Sequence, residues 1–135
     1  MPKETYVSMK NAPRKPVKWV GSAKKDLDRM PDDVKDVFGH AIDLAQAGGK
    51  HPDSKPFHGL GSGVLEVVED FFGDTYRAVY TVRFAGWVYV IHCFQKKSVR
   101  GIKTPQPDVD LIAQRLKAAN ADYLAWVKSQ KGVKS

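Results

Sequence analysis

The chain has 135 residues, with 22 Lys and Arg against 15 Asp and Glu, so its net charge is +7. A hydrophobic fraction of 42% is typical of a globular domain rather than a disordered chain. One cysteine excludes an intrachain disulfide framework and a Cys-based zinc cluster. No apolar run approaches the ~20 residues of a membrane helix, and the N-terminus lacks the apolar core of a secretory signal. We therefore expect a soluble, cytoplasmic, single basic domain with no membrane partner, and the charge suggests a polyanionic one.

The charges are segregated along the chain. The segment from Asp26 to Asp43 holds six acidic residues and two basic ones. The basic residues cluster in three other places: Lys3–Lys18, Lys96–Lys103 and Arg115–Lys134. We interpret this segregation as two faces that could serve two partners, although a charged run is also what an ordinary solvated surface looks like.

The first half of the chain predicts a helix hairpin. Residues 1–16 form a basic irregular arm, and Val17–Val20 could be a short strand. Ser22 is a plausible N-cap for a helix through Met30. Asp32 or Asp33 can cap a second helix, whose apolar residues recur at helical spacing and which Gly48-Gly49 end. Those apolar residues are Val34, Val37, Phe38, Ala41, Ile42 and Ala45.

The second half changes to a strand pattern after a loop from Lys50 to Gly63. Three strands, rich in aromatic and β-branched residues, are predicted at Val64–Glu69, Thr75–Phe84 and Trp87–Phe94. Gly73-Asp74 and Ala85-Gly86 are the predicted turns between them, and Gly86 suits a position with positive φ.

A C-terminal helix is predicted after Pro105 and Pro107, with Asp108 as its cap and an apolar stripe that ends at Val127. The stripe comprises Val109, Ile112, Ala113, Leu116, Ala119, Tyr123, Leu124 and Val127. Residues 128–135 are expected to be a basic, solvated tail, so the domain spans residues 17–127. The predicted fold class is α+β: an N-terminal helix hairpin, an antiparallel twisted sheet of three to four strands, and a C-terminal helix.

The predicted hairpin gives a candidate site. If Ala85-Gly86 is a two-residue turn, Arg77 faces Phe94 and Val79 faces His92, which places Arg77 and His92 on one face. Arg can clamp phosphate oxygens and His can exchange a proton near neutral pH. Two alternatives stay open: His92 as a hydrogen-bonded core residue, and Arg77 paired with Glu66 or Glu69. A slip of one residue in register would move these side chains to the other face.

Several strings in this order resemble the phage-related, HigB-like branch of the RelE/ParE toxin superfamily, over about Val17 to Tyr123. Together they are moderately specific, although each alone would be weak. The strings are KPFHGLGSGVLE at Lys55–Glu66, GDTYRAVY at Gly73–Tyr80, IHCFQKKS at Ile91–Ser98, KTP at Lys103–Pro105 and AQR at Ala113–Arg115.

The resemblance implies the toxin of a type II toxin–antitoxin pair, with the fold described above. The usual activity is metal-independent cleavage of mRNA on the translating ribosome, without a cofactor. The usual partner besides mRNA is a cognate antitoxin, often a helix-turn-helix protein. One departure is that relatives often carry Leu-Arg after the glutamate of the first strand, where this chain has Val67-Val68. That departure puts catalysis in question unless a neighbour such as Arg83 substitutes.

Cleavage of RNA by its own 2′-OH needs a base, an acid and cations around the phosphorus. We cast His92 as acid or base, Arg77 as the phosphate stabiliser, and Lys96 or Lys97 as a second electrostatic group. Further residues are candidates for RNA binding or for orienting the catalytic groups. Those for RNA are Lys55, His58, Arg100 and Lys103, and those for orienting are Glu66 and Tyr80.

The sequence predicts no metal site. His51, Asp53 and His58 lie close together in the chain, but we interpret them as polar loop residues. Cys93 is expected to be inert packing, and the three Trp are interpreted as core or hairpin surface rather than a base-stacking platform. The alternative to a nuclease is a non-catalytic toxin-fold protein that inhibits a protein target such as DNA gyrase.

Overall fold

The computed structural model describes residues 13–96 and 104–134, with side chains described as far as residue 131. The chain is α+β, as expected. In chain order its elements are β1 (Val17–Trp19), α1 (Ala23–Asp28), α2 (Asp32–Gln46), β2 (Ser54–Pro56), β3 (Val64–Phe71), β4 (Asp74–Thr81), β5 (Val88–Lys96) and α3 (Gln106–Lys134).

The sheet has five strands in the order β1-β5-β4-β3-β2, and it is mixed. β1 runs parallel to β5, whereas the other neighbours are antiparallel. The expected antiparallel sheet of three to four strands is therefore corrected. The added strand, β2, is a three-residue segment within the Pro- and Gly-rich loop, and so short a strand leaves no alternating pattern to detect.

The sheet separates two helical layers. On one face α1 and α2 pack on a cluster that includes Phe38, Val67 and Tyr80. On the other face α3 packs on a second cluster that includes Val79 and Ile91. Because side chains alternate along a strand, residues 77 and 79 of β4 share the α3 face, and residues 76, 78 and 80 share the other.

The two N-terminal helices differ in detail from the predicted hairpin. Helix α1 has six residues and ends at Asp28 rather than Met30, and the Ser22 side chain makes no capping bond. Pro31, not an Asp, is the N-cap of α2. The end of α2 agrees with the prediction: the Gly49 amide donates to the Leu44 carbonyl and Gly48 has φ +87°, which is a Schellman motif.

Helix α3 is longer than predicted at both ends. It begins at Gln106, so Pro107 and Asp108 lie in its first turn and Asp108 is not its cap, and its backbone continues from Val127 to Lys134. The predicted apolar stripe of this helix is confirmed at Ile112, which is fully buried. It is wrong at Leu124, which is 57% exposed. Trp126 packs instead, with its ring centroid 5.6 Å from that of Trp87. In the two described ranges no helix is both long and apolar enough to cross a bilayer.

The predicted register of β4 and β5 is confirmed at the site: Arg77 faces Phe94 and Val79 faces His92. Nearer the turn the pairing moves by one residue, to Tyr80 opposite Val90. The extra residue, Ile91, is a β-bulge. The strands end at Thr81 and begin again at Val88, so six residues connect them rather than two. The Ala85-Gly86 turn itself is present: the Trp87 amide donates to the Phe84 carbonyl, and Gly86 has φ +88°.

Candidate functional site

A polar cluster lies on the α3 face of the sheet, where three strands place charged side chains side by side. Lys55 of β2 pairs in register with Glu66 of β3, and their charged atoms are 3.7 Å apart. Arg77 of β4 donates from one guanidinium nitrogen to both oxygens of Glu66, at 3.2 and 3.3 Å. The alternative in which Arg77 pairs with Glu66 is thus confirmed, and Lys55 belongs to the same cluster.

Burial strengthens the electrostatic interaction between Arg77 and Glu66. The side chains of Arg77 and Glu66 are 5% and 8% exposed, whereas that of Lys55 is 58% exposed. Charges removed from water interact more strongly, because the surrounding dielectric is lower. The cluster therefore has a buried ion pair at its base and an exposed lysine, Lys55, at its rim.

Lys96, at the end of β5, completes the cluster. It is 7% exposed, and burial lowers the pKa of its ammonium group. The positive charge of Arg77 lowers that pKa further, and Glu66 opposes the change. The four side chains thus bring three cations to one carboxylate, an arrangement that favours an anionic ligand and makes Lys96 a readier proton donor.

His92 is fixed by two groups of α3. Its Nε2 lies 2.9 Å from Asp108 Oδ1, and its Nδ1 lies 3.3 Å from a guanidinium nitrogen of Arg115. Because a guanidinium can only donate, Nδ1 is the acceptor and Nε2–H donates to Asp108. The ring is therefore neutral in this arrangement. Burial is the main cause that lowers its pKa, with Arg115 adding to the effect and Asp108 opposing it.

Arg115 holds more than His92. It donates to the carbonyl of Ile91 at 3.1 Å and to Ser22 Oγ at 3.0 Å, and Ser22 donates to Asp26 at 2.7 Å. Ile91 is the bulge residue of β5, so Arg115 hydrogen-bonds the backbone at the point where the pairing with β4 is irregular. Sequence reasoning missed this role. The available signal was that residues 108 and 115 are seven apart, which is two helical turns and one face.

The sheet places His92 near the polar cluster but not within it. Glu66, Val79 and His92 form one row across three strands. Glu66 and His92, at the two ends of that row, are two strand spacings apart, which is about 10 Å. His92 also stacks on Phe94, with centroids 4.4 Å apart, and both ring nitrogens are directed at α3. Its assignment as acid or base stays a prediction.

The other predicted residues are spread out. Lys97, Arg100 and Lys103 lie outside the described residues. His58 is exposed in the loop that follows β2. Tyr80, assigned to orient catalytic groups, is on the α1–α2 face, where it is buried and hydrogen-bonded to Ser54 at 2.7 Å. Because β4 alternates, it cannot share the face of Arg77, and that assignment is corrected.

The position of the missing family arginine is now clear. Val68 pairs directly opposite Arg77, so an arginine there would join the polar cluster. Arg83 does not replace it. Its Nε donates to the Ser62 carbonyl at 2.8 Å, and it lies beyond the end of β4 at Thr81, six residues after Arg77.

The described part of the chain offers neither a cluster of metal ligands nor a reactive thiol. Among residues 13–96 and 104–131, no group of three His, Cys, Asp or Glu side chains could hold a metal ion. Cys93 is buried, and burial raises the pKa of its thiol to about 12. At neutral pH this cysteine is a protonated packing residue rather than a nucleophile.

Comparison with known proteins gives one match. No curated protein and no solved structure matches this chain. A family model described as "Phage derived protein Gp49-like (DUF891)" matches residues 25–117, from α1 into α3. That span includes every described residue of the polar cluster and the Asp108–His92–Arg115 network. The chain belongs to the Gp49-like family, a toxin-like family related to RelE and HigB.

Proposed function

We propose that this protein is the toxin of a type II toxin–antitoxin pair and that it cleaves mRNA on the translating ribosome. The observation that carries the proposal is the polar cluster: a buried Glu66–Arg77 ion pair flanked by Lys55 and Lys96. Membership of a toxin-like family supports the same function. A phosphodiester is a suitable ligand, because guanidinium and ammonium groups bind phosphate oxygens.

In the proposed reaction the ribose 2′-oxygen attacks phosphorus and the bond to the 5′-oxygen breaks. The products are a 2′,3′-cyclic phosphate and a 5′-hydroxyl. Glu66 is the acceptor for the 2′-OH proton, and Lys96 is the donor to the leaving oxygen, as its lowered pKa favours. Arg77 stabilises the charge of the pentacoordinate transition state. Lys55, at the exposed rim, binds the RNA backbone.

In this scheme His92 positions rather than reacts. It donates to Asp108 and accepts from Arg115, so it fixes the start of α3 against β5. The competing hypothesis is that His92 itself is the acid or base. A variant that cannot titrate, His92→Gln, separates the two, because only a reacting histidine would change the pH profile of cleavage.

The proposal is tested by brief expression in bacteria followed by primer extension on abundant transcripts. The wild-type protein should create new mRNA ends within coding regions. Arg77→Ala should reduce cleavage by about 10²–10³-fold, as removal of a transition-state donor does elsewhere. Lys55→Ala should weaken it less, because Lys55 binds at the rim.

Matched controls are available on the opposite helical layer. Arg14→Ala removes a cation that is paired with Asp43, and Lys24→Ala removes one paired with Asp28. Lys24 is 53% exposed, close to the 58% of Lys55. Both control variants should cleave as the wild type does. Full cleavage by a folded Arg77→Ala variant would reject the proposed site.

Val68 favours a second candidate function. The cluster has an apolar side chain where the resembled family often carries arginine, so the chain could act by binding alone, for example as an inhibitor of DNA gyrase. Growth arrest without new mRNA ends would contradict mRNA cleavage and favour that alternative. For either function we propose a small antitoxin, often a helix-turn-helix protein, as the partner; a neighbouring reading frame that encodes one would support it.

A further inference from the structure

A cavity of about 610 Å³ lies between the loop that follows β2 and helix α3. It is on the same side of the sheet as the polar cluster, because Leu60 and Leu116 in its wall belong to the core under α3. Its polar wall consists of Arg83, Gln114, Lys117 and Asn120. None of the described residues that line it carries a carboxylate. A cavity of this size can hold a small ligand or one unit of a larger one.

Arg83 is held across the glycine-rich loop. Its Nε donates to the Ser62 carbonyl at 2.8 Å, and one terminal nitrogen donates to the Leu60 carbonyl. Gly61 makes this position possible, because a Cβ there would lie 2.7 Å from a terminal nitrogen of Arg83. A guanidinium has more N–H donors than these two bonds use. The loop therefore fixes a cation that keeps donors for a ligand.

The two cations of the cavity are not neutralised within the part of the chain that the structure describes. Both partners of Arg83 are uncharged carbonyls, and Lys117 is exposed and makes no hydrogen bond or ion pair there. The neighbouring carboxylates of α3, Asp110 and Asp122, do not line the cavity and accept hydrogen bonds from other side chains. The cavity is therefore positively charged and favours an anionic ligand.

The uncharged groups of the cavity favour a nucleotide over a simple anion. Gln114 and Asn120 are exposed, and each amide can both donate and accept, as the edge of a base requires. Lys117 lies three residues from each of them, so the three side chains are neighbours on one helix face. Leu60 and Leu116 supply apolar surface for a base. A nucleotide has the phosphate, the polar edge and the flat ring that these groups fit.

The cavity lies beside the uncovered part of the sheet. Helix α3 runs along β5, to which Asp108, Arg115 and Asp122 are hydrogen-bonded, and it leaves the polar cluster on β2, β3 and β4 open. Arg83 follows the end of β4, whereas Lys96 pairs with Thr75 near its start. A single strand bound at the polar cluster can therefore extend along the sheet to the cavity.

We propose that this cavity is a second RNA subsite, which holds one nucleotide of the strand outside the cleavage site. Arg83 and Lys117 bind its phosphate. Gln114 and Asn120 bind the edge of its base. The choice of RNA as the ligand rests on the proposed function, but occupation of the cavity does not require cleavage.

The test is an NMR titration of the full chain at low salt with a 2′-O-methyl RNA of about eight nucleotides, a usual site size for single strands. This RNA lacks the free 2′-OH and stays intact, so binding is measured whether or not the protein cleaves mRNA. The side-chain signals of Arg83, Gln114 and Asn120 should shift, with a Kd of about 1 mM or tighter. The Arg77→Ala variant should show the same shifts, so failure of the cleavage proposal and failure of the subsite are distinguishable.

Two substitutions separate the phosphate contact from the base contact. Lys117→Ala should lower the slope of log affinity against log salt by about 0.7, the loss of one phosphate contact to a single strand. Asn120→Ala should weaken binding by about twofold to tenfold without changing that slope, because it removes an uncharged hydrogen bond. The matched control is Lys25→Ala, which removes an exposed lysine of α1 on the other side of the sheet and should change neither quantity.

Arg83 needs a milder change, because it also supports the loop. Arg83→Gln keeps a donor for the loop carbonyls and removes the charge, so the salt slope should fall as it does in Lys117→Ala. Thermal melting and circular dichroism establish that each variant folds. If Arg83→Gln does not fold, Lys117→Ala makes the same test, since Lys117 is exposed and does not support the loop.

Several outcomes would overturn the proposal. One is the absence of shifts at these side chains at about 1 mM RNA. An unchanged salt slope in folded Lys117→Ala would show that no phosphate is bound there. Equal affinity for inorganic phosphate and for the RNA would identify a simple anion site, and shifts with an acidic peptide instead of the RNA would identify a protein-binding surface.

Discussion

The protonation state of His92 gives a sharp prediction about stability. In the folded chain its Nδ1 accepts from Arg115 and its Nε2–H donates to Asp108. Protonation at Nδ1 would break the first bond and place two cations 3.3 Å apart. Asp26 and Asp108 favour the charged ring, but burial outweighs them, so its pKa falls below the ordinary 6.5.

The direction of the pKa shift fixes the sign of the pH dependence. Above about pH 6.5 the imidazole is neutral in both the folded and unfolded chains, so it adds no pH dependence. As the pH falls below that value, the unfolded chain takes up a proton first and is stabilised. The free energy of unfolding then decreases by up to about 1.4 kcal/mol per pH unit, until the folded-state pKa is reached.

The assay is urea unfolding of the wild type and His92→Gln between about pH 8 and pH 5. His92→Gln removes only the titrating ring of residue 92, so the other titratable groups contribute equally to the pH dependence of stability in both proteins. The wild type should lose stability relative to the variant as the pH falls. NMR of the imidazole nitrogens should show a proton on Nε2 at neutral pH. A wild-type stability advantage that grows on acidification, or a ring pKa at or above 6.5, would refute the hydrogen-bond assignment.

Three further predictions concern the fold, and urea unfolding measures each. Ile112→Ala, which opens a cavity under α3, should cost about 2–5 kcal/mol, whereas Leu124→Ala on the exposed side should change stability by less than about 0.5; equal costs would contradict the packing of α3. Gly63→Ala should destabilise, because its φ is +79° and the new Cβ would lie 3.1 Å from the Arg83 backbone, whereas Gly39→Ala in α2 meets nothing within 4 Å and should stabilise by about 0.5–1 kcal/mol. Tyr80→Phe should cost about 1–3 kcal/mol by leaving Ser54 without its partner, and an unchanged midpoint would show that this hydrogen bond contributes nothing.

The sequence predicted the elements with strong local patterns. The apolar spacing of α2 and the glycines that end it were sufficient to place that helix. The assumed two-residue turn at Ala85-Gly86 correctly predicted that Arg77 pairs with Phe94. The register between the turn and the bulge at Ile91 differs by one residue from that prediction, but the register on the far side of the bulge, where the site lies, agrees with it.

The features that the sequence did not predict depend on long-range contacts. β2 is a strand because Lys55 pairs with Glu66, and nothing in its three residues demands an extended backbone. The contact between Trp87 and Trp126 depends on how α3 crosses the sheet. The partners of His92 come from a helix sixteen or more residues away, so a lone histidine in a strand could not be distinguished from a reactive one.

Several candidate residues lie together for a reason that is visible in the sheet. Lys55, Glu66 and Arg77 occupy neighbouring strands and one face, and Lys96 is close enough for its pKa to respond to the last two. The acidic helix α2 lies on the other face. The segregation of charge along the chain thus becomes a segregation between the two sides of the sheet.

The most direct test of the proposed function is to determine the chemistry of the RNA ends formed in a purified translation reaction. The reaction runs with the Mg²⁺ that the ribosome needs, and it is quenched by removing that Mg²⁺ before the ends are analysed. The reaction derived for the polar cluster predicts 5′-hydroxyl ends, which a polynucleotide kinase can label without prior dephosphorylation, and 2′,3′-cyclic phosphates upstream. These ends should be formed by the wild type and by Arg14→Ala but not by Arg77→Ala. Ends that carry a 5′-phosphate, or equal cleavage by a folded Arg77→Ala variant, would contradict the account.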